Sequence, residues 1–175
     1  MTQADEPNVN AVPQLVEFGP YRVIGTRYAG KNEHNEIPTM WQRDFLPRMQ
    51  EVVKADGADF SVGLCHCLPE VRDGSFEYIA AVPTTADAPI PAAMVETRIA
   101  AATYIAFPVA SLAELKQAWE LLAPWLEAHP EWEGYCTPNG CDCATHPGFE
   151  LYPATFGVDG KLFIYLPVRK KPSVR

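Results

Sequence analysis

Hydrophobic positions along the chain change period in a regular order, and that order occurs twice. Tyr21 to Tyr28 is a β-branched and aromatic run that reads as a strand. Ile37, Trp41, Phe45 and Met49 then recur every four residues, the stripe of an amphipathic helix. Pro38 suits the first turn of that helix, whereas Pro47 should kink or interrupt it. Phe60 to Cys67 and Ser75 to Val82 read as strands joined through Asp73-Gly74, a pair that accepts positive φ angles cheaply.

The second half repeats the scheme. Ala100 to Val109 is a strand, and Ser111 to Glu114 has the spacing of a capping box, in which a serine hydroxyl and a glutamate reciprocally satisfy the first helical amides. Leu115, Trp119, Leu122 and Leu126 supply the buried stripe of the following helix. Phe149 to Phe156 and Leu162 to Val168 form a closing hairpin about Asp159-Gly160. Val16 and Val95, at the centres of two similar short segments, are 79 positions apart, and Trp41 and Trp119 are 78 apart. The two Asp-Gly pairs are 86 apart, so the added residues lie between helix and hairpin, where Tyr135 to Pro147 is rich in Cys, Gly and Pro.

The pattern predicts an α+β fold: duplicated βαββ units with pseudo-twofold symmetry, antiparallel sheets with a helix per unit, and a central ligand cleft. The expected organisation is a disordered N-terminal segment (1–12) and a single domain (13–171), made of repeat one (13–84), a Pro- and Ala-rich linker (85–91) and repeat two (92–171). A tail (172–175) follows, and the basic run from Arg169 onward should fray.

Charge narrows the partners. The chain carries a net −8, which repels phosphate backbones and favours cationic ligands, so direct nucleic-acid binding is not expected. Residues 1–10 have no basic region followed by an apolar stretch, and no run approaches the ~18–20 apolar residues of a membrane span. A cytoplasmic protein without membrane contact is therefore expected, with its five cysteines reduced.

Function should appear where the two copies differ. Counting back from the Asp-Gly pairs, Glu150 corresponds to Leu64 or Cys65, so a carboxylate replaces an apolar residue within a strand. Glu150 and Tyr152 share one strand face, and Phe149 and Leu151 share the other. A carboxylate buried among rings needs a counter-charge. It could be an arginine such as Arg22 or Arg98, or a ligand cation, which aromatic faces also attract; alternatively, Glu150 faces solvent.

Tyr104-Ile105-Ala106-Phe107, the Leu115 to Trp119 helix, Phe149-Glu150-Leu151-Tyr152 and Phe163-Ile164-Tyr165-Leu166-Pro167-Val168 together resemble the GyrI-like, or bacterial effector-binding, domain. Val23-Ile24-Gly25, Met40-Trp41 and Phe76-Glu77-Tyr78 extend the resemblance to the first half, over about residues 13–171. It implies a central pocket for bulky, apolar, cationic molecules, as in the effector-binding domains of AraC-type multidrug regulators, with Glu150 at its base. Only about a dozen residues precede the domain and no helix-turn-helix fits, so a stand-alone sensing or sequestering module is expected. The family also implies two alternatives: a hydrolase of electrophilic, cyclopropane-bearing genotoxins with Glu150 as general base, and a gyrase-interacting inhibitory protein. No cofactor is expected.

Beside Glu150, the ligand-binding candidates are Tyr152, Tyr104, Tyr165, Phe163, Tyr78, Trp41 and Trp119. Tyrosine suits a pocket wall better than a core because its hydroxyl needs a partner, while Trp41 and Trp119 also fit the buried stripes of their helices. Cys136, Cys141, Cys143 and His146 have zinc-type donors, but C-x4-C-x-C-x2-H is no recognised finger or ribbon spacing, and no metal site is expected. Cys65 and Cys67 form a further Cys-x-Cys, with both thiols on one strand face.

Overall fold

The computed structural model describes residues 12–67, 73–137 and 140–172. Its first half runs β1 (Gln14–Phe18), β2 (Tyr21–Gly30), α1 (Glu36–Met40), β3 (Phe60–Cys67) and β4 (Phe76–Thr84). The second runs β5 (Val95–Ile99), β6 (Ala102–Val109), α2 (Leu115–Trp119), α3 (Leu122–Ala128), β7 (Trp132–Gly134), β8 (Cys136–Thr137), β9 (Gly140–Cys141), β10 (Gly148–Pro153), α4 (Phe156–Asp159) and β11 (Leu162–Lys170). One curled nine-stranded sheet has the order β1-β6-β11-β10-β3-β4-β2-β5, with β7 beside β11, and every pairing is antiparallel. The fold is the duplicated α+β arrangement that the pattern predicts.

The short segments that announce each repeat are strands, and they are exchanged between the halves. β1 pairs with β6 of the second half, and β5 pairs with β2 of the first. Phe18 faces Ala102 in one pair and Ile99 faces Tyr21 in the other, so counterparts here lie 81 positions apart. The halves join directly where β3 meets β10.

Following the ladders outward from that junction identifies the counterpart of Glu150. Gly63 pairs with Ala80, and Ala80 with Thr26; Glu150 pairs with Ile164, and Ile164 with Phe107. Thr26 and Phe107 are again 81 apart. Glu150 therefore corresponds to Gly63, not to Leu64 or Cys65, and the two face each other across the junction. Counting from the Asp-Gly pairs misses this because the two turns differ: α4 occupies the second, with Gly160 as its left-handed C-cap at φ 69°.

The sheet buries both faces. On one, Val23, Val62, Leu64, Ile79, Tyr104, Phe149 and neighbouring residues form an aromatic-rich core without a helix. On the other, α1 and the turns after it cover the first half through Met40 and Phe45, while α2 and α3 cover the second through Ala118, Leu115 and Leu126. Alternation along each strand assigns neighbouring residues to opposite faces.

Several boundaries depart from expectation for local reasons. The Ile37–Met49 stripe is α-helical only to Met40, widens to a π turn over Trp41–Phe45 and tightens to a 3-10 turn over Leu46–Glu51. Pro47 has no amide hydrogen and its ring crowds the preceding turn. The capping box at Ser111 does not form. The serine side chain caps nothing, and the helix instead opens with a 3-10 turn in which the Glu114 amide donates to the Ser111 carbonyl. β10 ends at Pro153, so Phe156 is helical and not the end of a strand. Arg169 and Lys170 are ordered in β11 opposite Glu133 and Trp132, so the basic run does not fray from Arg169. The chain between β4 and β5 is also held down: the Arg22 guanidinium donates to the carbonyls of Thr85 and Ala88. Residues 1–11 and 173–175 of the expected terminal segments lie outside the described residues.

Candidate functional site

Glu150 sits in the middle of β10 on the helix-bearing face and is only 6% exposed. Its Oε2 accepts a 2.6 Å hydrogen bond from the Tyr78 hydroxyl and a 2.7 Å bond from the Tyr152 hydroxyl. Tyr78 reaches it from β4 across the first half, and Tyr152 from the same face of its own strand. The Trp41 indole Nε1 donates 2.9 Å to the Tyr78 hydroxyl, so tryptophan, tyrosine and carboxylate form a chain. Among the described residues no Lys, Arg or His pairs with Glu150. Arg22 is taken by Glu96, and Arg98 faces Arg22 across the β2–β5 pair. Of the possibilities left open by the sequence, exposure is absent, and so, among the described residues, is an arginine partner.

Burial sets the electrostatics. Desolvation raises the Glu150 pKa, while hydrogen bonds from Tyr152 and Tyr78, and a weaker pull from Trp119, oppose it. Burial and the adjacent carboxylate push both phenols well above the ordinary tyrosine value, so they remain donors. A charged hydrogen bond of this type contributes about 1.5–3 kcal/mol, but two tyrosines supply no compensating charge.

Rings surround the carboxylate. Trp41 meets Tyr152 edge-on at 5.1 Å and Phe45 at 5.2 Å, and Tyr152 meets Phe156 at 5.0 Å. Trp119 lies over Gly148, two residues before Glu150 on the same face. Trp41 from one half and Tyr152 from the other thus bridge the axis.

The sequence candidates divide into two groups. Glu150, Tyr152, Tyr78, Trp41 and Trp119 come together on the helix-bearing face. Tyr104, Phe163 and Tyr165 lie on the opposite face, in or against the aromatic core, where Tyr165 stacks on Phe149 at 5.1 Å. Tyr104 finds its hydroxyl partner in the Ala100 carbonyl, and burial raises its pKa to about 12.

Two site residues escaped the sequence reading. Gly63 is required because a Cβ there would stand 1.8 Å from the Tyr78 hydroxyl and 2.8 Å from Glu150 Oε2. Cys65 packs on the same face and is close enough to both phenols to raise their pKa further. Only the cross-strand register, which no local pattern encodes, would have found them.

The cysteine-rich loop gives no ligand set that can be assembled. The side chains of Cys136 and Cys141, and also of Cys67, lie outside the described residues. Cys143 is buried, and His146 stacks on Tyr135 and bonds Asp142. Among the described residues no three potential metal-ligating side chains cluster. No helix among them is long and apolar enough to cross a membrane.

Residues 14–168 match the sequence model of Cass2, the integron-associated effector binding protein. The fold is similar to SAV2435 bound to tetraphenylphosphonium, with a TM-score of 0.60 at 18% identity, covering 90% of this chain and 94% of that one. It is also similar to the integron cassette protein VCH_CASS2 from the mobile metagenome of Vibrio cholerae, with a TM-score of 0.50 at 16% identity over 90% and 95% of the chains. EcmrR, in a complex with DNA, matches with a TM-score of 0.64 at 15% identity, over 91% of this chain but 58% of that one. Such low identities establish the fold alone. No curated protein matches the chain.

Proposed function

Since the chain belongs to the integron-associated effector-binding family, whose model spans residues 14–168, we propose that it is a receptor for bulky, apolar, cationic small molecules, which it senses or sequesters. The observation that carries this reading is Glu150, a buried carboxylate held by two tyrosine hydroxyls and lacking a counter-charge among the described residues. A delocalised cation would supply the charge, and Trp41, Tyr152 and Trp119 would supply ring faces, each worth about 0.5–2 kcal/mol to a desolvated cation. A bulky ligand has to part the contacts that bridge the axis, chiefly that of Trp41 with Tyr152. Tetraphenylphosphonium on SAV2435, a protein of the same fold, supports this ligand class.

The hydrogen-bond directions favour binding over hydrolysis in the same pocket. Both phenolic protons are directed at Glu150 Oε2, so neither is aimed outward at a leaving group as a general acid would be. Isothermal titration of the full-length protein with tetraphenylphosphonium at pH 8 tests the receptor reading. Saturable one-to-one binding is expected, and its absence up to millimolar ligand would refute it.

A further inference from the structure

A concave site lies on the sheet away from Glu150. Its volume is about 640 Å³, within the ~300–1,000 Å³ of small-molecule sites. It opens where β7, the end of β11, β6 and the edge strand β1 meet, and Glu17, Thr103, Trp132, Tyr135, Arg169 and Lys170 line it around an apolar floor that includes Val168. Glu150 faces Ile164 on β11, and Val168 lies four residues farther along that strand, roughly 13 Å away. The two sites are therefore distinct.

The cleft has a basic wall and an acidic one. Lys170 Nζ lies over the Trp132 ring at 5.7 Å from its centroid, and the Arg169 guanidinium over Tyr135 at 5.2 Å. Arg169 is neutralised by Glu133, which accepts from its Nε at 2.8 Å, and alternates to the other face of the strand, so the basic wall is Lys170. A cation resting on a ring face keeps its charge and its remaining donors for an incoming anion. Opposite stands Glu17, oriented by the Thr103 hydroxyl. Glu17, Thr103 and Val168 form one cross-strand row, so Glu17 stands two strand spacings, roughly 10 Å, from β11. In a chain of net charge −8, Arg169-Lys170-Lys171 is a local positive cluster beside this carboxylate.

We propose that this cleft is a second ligand site, for a small dipolar molecule with a carboxylate at one end, an ammonium at the other and an apolar body between. The carboxylate meets Lys170, the ammonium meets Glu17, and the body crosses Val168. A simple anion would face Glu17, and a simple cation would face the basic wall.

The test is titration of the full-length protein with 6-aminohexanoate, hexanoate and hexylamine, followed by calorimetry and by Trp fluorescence. The zwitterion should saturate one site at least tenfold more tightly than either single-charge probe. K170A and E17Q, both at exposed positions, should each weaken it about tenfold, while E150Q leaves it unchanged. Failure of 6-aminohexanoate to saturate, or hexylamine or hexanoate binding equally well, overturns the proposal. So does retention of full affinity in K170A, or its loss in E150Q. The hexylamine titration is repeated with E150Q, which removes any cation binding at Glu150, so the two readings stand or fall separately.

Discussion

Replacing Glu150 by Gln removes one charge with almost no change of volume, and the amide oxygen can still accept from Tyr78 and Tyr152. The perturbation is thus confined to electrostatics. With a phosphonium centre about 6 Å from the carboxylate, a separation set by the surrounding phenyl rings, and an effective dielectric of about 20, the lost attraction is about 2.8 kcal/mol. That corresponds to about a hundredfold weaker binding. The low exposure of Glu150 keeps solvent screening from reducing this figure to the value of a surface pair. Calorimetry at pH 8 should show this loss for tetraphenylphosphonium. Neutral triphenylphosphine oxide should change by no more than about threefold, and the circular dichroism of E150Q should match that of the parent. Equal affinity of both proteins for the cation, within a factor of about three, would refute the electrostatic account. A parallel loss for the neutral compound would show instead that the substitution had damaged the shape of the pocket.

Three further outcomes follow from the same geometry. Y78F removes the 2.6 Å donor to Glu150 and the acceptor for the Trp41 indole; urea denaturation at pH 8 should register about 1.5–3 kcal/mol of lost stability, and less in an E150Q background, so equal effects in both backgrounds would show the hydrogen bond to be energetically idle. G63A places a methyl 1.8 Å from the Tyr78 hydroxyl on a strand that cannot retreat; overpacking should cost about 1–3 kcal/mol, read as a drop of several degrees in Tm, and an unchanged Tm would contradict the close approach. Burial makes Glu150 hold its proton to a higher pH in the folded than in the unfolded chain, so its contribution favours folding most below the ordinary value of 4.5 and is lost as pH rises through the raised one. The Tm of the parent relative to E150Q should therefore fall between pH 4.5 and pH 8, and a difference independent of pH would rule out a perturbed carboxylate.

Period and composition fixed much of the local structure. The β-branched run from Tyr21 and the strand from Phe60 to Cys67 formed as expected, and the stripe from Ile37 buried one face although only its first turn is α-helical. Strand alternation likewise put Glu150 and Tyr152 together, since a period of two is local. Where a neighbour had a say, the local signal failed. Ser111 lost its capping role to a 3-10 turn, and the short β1 and β5 segments, visible only as an echo, became strands by pairing with the opposite half.

The sequence by itself determined the duplication, the antiparallel α+β class and one carboxylate set among aromatic residues. Tertiary structure alone decided that Gly63 is the partner of Glu150 at the junction, that Tyr78 reaches it from another strand, and that Tyr104, Phe163 and Tyr165 face away. The physical reason is register: a one-residue shift reverses which face every side chain occupies. That register is set by contacts between segments far apart in the chain, which no local pattern of residues can carry.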